Sequence, residues 1–191
     1  TVSTLKEAAQ CFAAGITDIS YAVGIAPAKL PQVLALRRQG CALKILTDNT
    51  TSARAIAEFG HAQGEAFEVL IEIDTDGHRS GIPPESDELL AVGRALHEGG
   101  QMLTGVLTHA GASYQCSTPE ALAAIAEQER ALCVRAAQRL RHRVFIEEMG
   151  ARLPLAEPGI ESDRFDQYCE HLLVWDEDTD QAVGCYRILT D

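Results

Sequence analysis

The feature that most limits the fold is a repeated alternation. Apolar strand patterns begin near residues 18, 42, 67 and 104, and one helical pattern separates each from the next. That alternation marks consecutive β-α units, which build a parallel sheet or a (β/α) barrel. Ser3 and Thr4 are placed to cap a helix over Leu5–Ala14, with Glu7 in support and Gly15 to stop it. After a strand at Asp18–Val23, Pro27 leads into a helix from Ala28 to Gln39 that Gly40 closes. Ala42–Thr47 is the next strand, and Asp48 to Thr51 offer caps for a helix over Ser52–Ala62 that runs up to Gly64. A strand at Phe67–Asp74, a helix from Ser86 to Glu98 ended by Gly99-Gly100, and a strand at Thr104–Thr108 complete the series. Four such units make half of an eight-stranded barrel. The open sheet edges therefore call for cover, by unusual elements or by a second copy of the chain.

Two strand ends carry the polar chemistry. Glu68-Val-Leu-Ile-Glu-Ile-Asp-Thr-Asp-Gly-His-Arg-Ser-Gly81 passes from a buried strand into a loop of charges and glycines. Gly105-Val-Leu-Thr-His-Ala-Gly-Ala-Ser-Tyr114 does the same, delivering His109 and Tyr114 into a loop of small residues. Loops that follow parallel strands emerge on one side of the sheet, where ligands bind in this fold class. Arg79 and His109 are thus expected on the same sheet edge.

Beyond Tyr114 the pattern changes. Ser117-Thr-Pro-Glu120 offers a cap and an N-terminal proline for the longest helix. Leu122, Ile125, Leu132, Ala136, Leu140 and Val144 keep one apolar face along it, and no Pro or Gly intervenes before Met149. Residues 151–162 read as a loop. Cys169–Asp176 and Gln181–Leu189 read as an antiparallel hairpin across an acidic turn. The fold class expected is α/β: a partial TIM-type (β/α) barrel of about four units, a long helix, and a small α+β hairpin fragment.

Charge supports a seam near residue 143. Residues 1–143 hold 16 acids and 13 bases, whereas residues 144–191 hold 12 acids and 3 bases. No basic patch is present to meet phosphates, which argues against nucleic acid as a partner. No apolar run reaches the ~18–20 residues needed to span a bilayer. The cysteines at 11, 41, 116, 133, 169 and 185 form no C-x-x-C pair, and predict reduced thiols in a cytoplasmic protein. Thr1 opens directly on a helix-start pattern, which predicts further sequence in front of it.

Each polar residue also has a plainer reading. His109 can be a buried, hydrogen-bonded histidine, and Arg79 a surface residue paired with Asp74 or Asp76. Asp74 and Asp76 form a D-x-D pair that can chelate a metal, although such pairs more often cap and solvate a loop; no metal is assigned. Tyr114 and Cys116 suit packing better than nucleophilic chemistry, since no base lies nearby in sequence.

The first ~140 residues resemble the D-threonine aldolase and D-serine dehydratase group, built on the alanine-racemase-like N-terminal barrel. The stretches that carry this are Val2-Ser-Thr-Leu-Lys-Glu-Ala8, Ala14-Gly-Ile-Thr-Asp-Ile-Ser-Tyr-Ala22, Glu72-Ile-Asp-Thr-Asp-Gly-His-Arg-Ser-Gly81 and Thr108-His-Ala-Gly-Ala-Ser-Tyr114. The resemblance implies a lyase-type (β/α) barrel that uses pyridoxal phosphate (PLP) on D-amino acids. It implies Arg79 beside the cofactor's phenolic oxygen, His109 against the pyridine ring, and Tyr114 near cofactor or substrate. It also implies that the Schiff-base lysine lies upstream of Thr1, so that no catalytic residue is assigned; Lys6, Lys29 and Lys44 match no such position. The later phosphate-binding strands and the metal-bearing C-terminal domain of the aldolases have no counterpart, which leaves the cofactor site partial.

From about Leu140 the resemblance changes. Arg139-Leu-Arg-His-Arg-Val-Phe-Ile-Glu-Glu-Met-Gly150, Asp163-Arg-Phe-Asp166, Cys169-Glu-His-Leu-Leu-Val174 and Val183-Gly-Cys-Tyr-Arg-Ile-Leu189 are similar to ornithine-lipid N-acyltransferases of the acetyltransferase-like superfamily. By that resemblance Arg143, Phe145, Glu148, Asp163, Asp166 and Arg187 shape an acyl-acceptor pocket. Two domains are expected, residues 1–141 and residues 142–191, joined as fragments of two enzymes. The functions expected are the lyase-type one, N-acylation of an amino-acid amine, or a non-catalytic partner-binding remnant.

Overall fold

Thr4 starts the first helix. Its hydroxyl accepts the Glu7 amide at 3.1 Å, while the Glu7 carboxylate accepts the Ser3 and Thr4 amides at 2.9 Å. This reciprocal cap satisfies amides that have no helical partner and contributes about 1 kcal/mol. Helix α1 accordingly spans Leu5–Ala13. The computed structural model describes residues 1–109, 111–143, 158–160, 169–176 and 181–189. They fall into two compact units, one of Thr1–Glu72 with Asp87–Thr104 and one of Ile73–Ser86 with Gly105–Asp191.

The first unit holds the β-α units. Strand β1 is Asp18–Gly24, α2 Leu30–Arg37, β2 Ala42–Thr47, α3 Thr50–Gln63, β3 Glu68–Glu72 and α4 Asp87–Glu98. Strand β4, Met102–Leu107, begins in it. The sheet order is β1-β2-β3-β4. Strands β1 and β2 are parallel with Ile19 opposite Leu43, and β2 and β3 are parallel with Leu46 opposite Leu70. Leu43, Ile45, Leu46 and Thr47 of β2 are all fully buried. Neighbouring residues on a strand face opposite ways, so β2 is covered on both faces, as a central parallel strand must be. Val33 of α2, Ile56 of α3 and Leu89 and Leu96 of α4 complete the core, each fully buried. Each such side chain stabilises the fold by about 1.5–3 kcal/mol.

Several ends differ from the sequence reading, for identifiable reasons. The Ala28–Gln39 helix is shorter: a 3-10 turn covers Pro27–Lys29, and α2 starts only at Leu30, which places Pro31 in the first turn. The Phe67–Asp74 strand ends at Glu72, because Ile73 bridges to Ile82 and Asp74 donates its amide to the Ile82 carbonyl. Asn49 caps α3 by accepting the Ser52 amide at 2.8 Å, two residues earlier than the helix start read from sequence.

In the second unit, helix α5 spans Pro119–Arg141. Its cap is Thr118 rather than Ser117: Thr118 is extended (φ −131, ψ 151) and its hydroxyl accepts the Ala121 amide. The helix is unbroken through Arg141 and continues into a wider π-type turn at 142–143. The extension expected to Met149 lies outside the described residues. Cys133, Ala136 and Leu140 are buried, but Leu122 is 45% exposed, so the apolar stripe is covered only from its middle onward. Arg139 and Arg135 bind the loop before α4: Arg139 donates to the Pro84 and Ser86 carbonyls, and Arg135 pairs with Glu85. Strands β5, Cys169–Asp176, and β6, Gln181–Leu189, form an antiparallel hairpin in which His171 faces Arg187. The acidic turn between them lies outside the described residues.

Candidate functional site

The loop that leaves β3 is closed on itself. Ile73 and Ile82 form a parallel bridge, with the Asp74 amide donating to the Ile82 carbonyl at 3.0 Å. Gly81 makes that closure possible, since its φ is +118 and a Cβ would lie 2.6 Å from Ile73 C and Asp74 N. Inside the ring, Asp74 Oδ1 accepts the Asp76 amide at 3.2 Å and the Gly77 amide at 2.7 Å, an Asx turn.

Asp76 reaches further. Its Oδ1 accepts the His78 amide at 2.9 Å, and its Oδ2 accepts both the Gly111 and the Ala112 amides at 2.6 Å. The side chain is only 4% exposed. Burial pushes its pKa up, but the three amides and nearby His78 outweigh burial and hold the carboxyl below its ordinary value. Thr75 and Thr108 link the same two loops through their hydroxyls at 3.1 Å, and Gln128 of α5 donates to the Thr75 carbonyl at 3.2 Å.

Arg79 is exposed, and its stem reaches the loop that carries His109. The aliphatic stem of Arg79 lies against Gly111, where a Cβ would meet Arg79 Cγ at 3.1 Å and Cδ at 3.3 Å. The His109 pKa is lowered first by burial and then by the Arg79 guanidinium, with Asp76 opposing. The imidazole is therefore neutral at neutral pH. Its Nε2 is buried and has no hydrogen-bond partner among the described residues. A buried polar atom left open in a folded protein is uncommon and marks a place where a ligand group can complete the bonding. A guanidinium near enough to depress the pKa of a flat imidazole suits a planar ligand that carries an anionic oxygen.

Glu129 on α5 was not singled out in the sequence. Its Oε1 is also buried without a partner among the described residues, and burial together with the charge of Asp76 raises its pKa. The signal was present: Glu129 is four residues after Ile125 and four before Cys133, on the stripe that packs inward. Tyr114 stands apart from Arg79 and His109 in one respect, being 62% exposed on a 3-10 turn at Ala112–Gln115. Cys116 directs its thiol to the Ala112 carbonyl. Among the described residues no three His, Cys, Asp or Glu side chains converge to hold a metal ion. No helix among them is long and apolar enough to cross a membrane. Of the acceptor-pocket residues, Arg143 is the last residue of the π-type turn and Arg187 lies in β6. Phe145, Glu148, Asp163 and Asp166 lie outside the described residues.

Comparison with known proteins finds two family matches along the chain, overlapping at residues 140–150. Residues 1–150 match the family model described as "Alanine racemase, N-terminal domain". Residues 140–191 match the model described as "Acetyltransferase (GNAT) domain". The chain is 66% identical over 142 residues to a D-threo-3-hydroxyaspartate dehydratase of Delftia sp. (strain HT23), a match covering 74% of this chain and 37% of that protein. The solved structure of that dehydratase superposes with a TM-score of 0.71 over 81% of this chain and 39% of the other, at 59% identity. Crystalline D-threonine aldolase from Filomicrobium marinum shares the fold, with a TM-score of 0.64 over 75% of this chain and 38% of that one at 22% identity. An L-ornithine N(alpha)-acyltransferase of Brucella abortus (strain 2308) is 48% identical over 63 residues, 29% of this chain and 22% of that protein. The chain thus spans little more than a third of the dehydratase it matches.

Proposed function

Because the chain belongs to the alanine racemase N-terminal domain family, we propose that its Arg79–His109 corner is part of a PLP site in a lyase-type domain acting on D-amino acids. The observation that carries this is the open, buried Nε2 of His109 beside Arg79. In this reading His109 lies against the pyridine ring and Arg79 holds the phenolic oxygen, with Tyr114 at the edge nearer substrate. PLP, when bound, supplies an electron sink for a substrate carbanion. The chain's own residues bind and orient it: a neutral imidazole adds no second positive charge to the ring, and the guanidinium favours the anionic oxygen. The similarity to the dehydratase supports a D-3-hydroxy amino acid as the substrate class.

We further propose that residues 1–191 hold this cofactor without a covalent link. Lys29 donates to the Tyr21 hydroxyl at 2.8 Å and Lys44 pairs with Asp18, which keeps both engaged. Equilibrium dialysis against PLP tests the site: Arg79→Gln and His109→Ala should each weaken binding about tenfold or more, the worth of a charge-assisted contact. Binding that ignores both substitutions overturns the reading. Borohydride reduction that fixes PLP on Lys6, Lys29 or Lys44 overturns the non-covalent part.

A second reading rests on the match of residues 140–191 and on the β5–β6 hairpin. There the segment from residue 142 is a separate acyltransferase-like domain that receives an amino-acid amine near Arg143, Phe145, Glu148, Asp163, Asp166 and Arg187. Acyl transfer from an acyl thioester to ornithine, lost in Arg187→Ala, is the corresponding test.

A further inference from the structure

We propose that Asp76 is the positioning residue of this site. By drawing the Gly111 and Ala112 amides onto one carboxylate oxygen, it sets the loop after β4 against the loop after β3 and so holds Arg79 beside His109. The inference deepens the cofactor-site reading and rests on it.

Three observations carry the proposal. The first is the acceptor count. Asp76 takes three backbone amides from two loops, two on Oδ2 at 2.6 Å and one on Oδ1 at 2.9 Å. Only a carboxylate has acceptors on both oxygens; an amide side chain would turn N–H groups toward either His78 or the Gly111–Ala112 pair. The second is the reason for glycine at 111. Its φ is −105 and ψ −17, a conformation open to any residue. What glycine supplies is space, since a Cβ would press on Arg79 Cγ at 3.1 Å and on Arg79 Cδ and His78 Cβ at 3.3 Å. The clamp therefore brings the two loops to a separation at which the Arg79 stem itself is packed. The third is the division of labour in the D-x-D pair. Among the described residues the Asp74 carboxylate bonds within its own loop, to Asp76 and Gly77, while that of Asp76 bonds across. Both carboxylates thus point at amides, and the pair is a two-stage loop clamp rather than a chelator.

The test needs no bound cofactor. Amide hydrogen exchange and an NMR titration of the His109 ring are measured on the full chain, for the parent, Asp76→Asn, Gly111→Ala and Arg79→Gln. In Asp76→Asn either the His78 amide or the Gly111 and Ala112 amides should exchange about ten- to a hundredfold faster, as expected for losing a hydrogen bond to a charged acceptor, while the amides of β2 keep parental rates. Gly111→Ala leaves every charge in place but displaces the Arg79 stem. Its His109 midpoint should rise toward that of Arg79→Gln, because the guanidinium that depresses it has moved away.

Unchanged exchange at all three amides, His78, Gly111 and Ala112, in Asp76→Asn overturns the clamp, even if Gly111→Ala fails to fold. A parental His109 midpoint in Gly111→Ala, alongside a raised one in Arg79→Gln, overturns the claim that the clamp positions Arg79. An Arg79→Gln variant whose His109 midpoint does not move refutes the Arg79–His109 site itself. That result is distinct, since the exchange rates still report on the loops.

Discussion

The side-chain carbonyl of Gln101 accepts the backbone amide of Phe67 at 2.9 Å, joining residues 34 apart in sequence. The next residue, Met102, donates its own amide to the Phe67 carbonyl at 3.0 Å. Both backbone groups of Phe67 are thereby satisfied just ahead of β3, and the start of β4 is pinned to it. Gln101 is itself 7% exposed and returns its amide nitrogen to the Gly99 carbonyl at 2.9 Å.

Replacing Gln101 by Leu keeps the bulk but leaves the Phe67 amide buried without an acceptor. Urea unfolding should show a loss of about 1–3 kcal/mol, the cost of an unmade buried hydrogen bond. A variant as stable as the parent would show that another acceptor takes over.

Helices α3 and α4 meet where Gly99 follows α4, and a Cβ there would lie 2.3 Å from Ala57 Cβ. Gly99→Ala should destabilise by about 1–3 kcal/mol through overpacking. Adding Ala57→Gly should restore part of that, so the two substitutions will not be additive in a double-mutant cycle. Simple additivity would refute the contact.

Arg37 is a second fastening point. Its guanidinium bonds Glu65 at 3.0 Å, Glu68 at 3.2 Å and the carbonyls of Leu43 and Ala66, and it lies 5.9 Å from the Phe67 ring centroid. The fork geometry matters here beyond the charge. Arg37→Lys should therefore recover little of the stability that Arg37→Met loses, with both about 1–3 kcal/mol below the parent by denaturant titration. Full stability in Arg37→Lys would mean that charge alone suffices.

Glu129 supplies a pH signature. Burial and the charge of Asp76 raise its folded-state pKa above the ordinary 4.5. The folded state then binds the proton more tightly than the unfolded state does. The penalty for ionising Glu129 is absent below 4.5, grows as pH rises toward the folded value, and is constant above it. Glu129→Gln should raise Tm at neutral pH and converge with the parent near pH about 4. A gap independent of pH would assign the effect to packing instead.

The four β-α units were legible because punctuation and period agree. Gly40 and Asp48 bracket the six residues of β2, and the strand read from sequence is the one found, Ala42–Thr47. The β5–β6 hairpin was legible for the same reason, through two apolar runs and an acidic turn. What the sequence withheld depends on partners far along the chain. Ile73 is β-branched and apolar, and nothing local tells it to leave the strand; its bridge to Ile82 across the loop does. Asp76 sits in Asp-Gly-His, a composition that suggests a solvated turn, yet two of its donors lie 35 and 36 residues later. The Thr118 cap falls between these cases: both Ser117 and Thr118 are competent, and Pro119 decides by its fitness for the first helical position. Thr118→Ala should cost about 1 kcal/mol and Ser117→Ala little.

The bridge between Ile73 and Ile82 has a consequence for how such a chain can diversify. Because both ends of the 74–81 segment are tied to each other, its length is set by geometry and it has no slack to take up an inserted residue. One more position would turn Arg79 away or force Gly81 out of the conformation that closes the ring. Descendants of this chain can therefore explore new chemistry here by exchanging side chains, while the number of residues between Ile73 and Ile82 stays fixed.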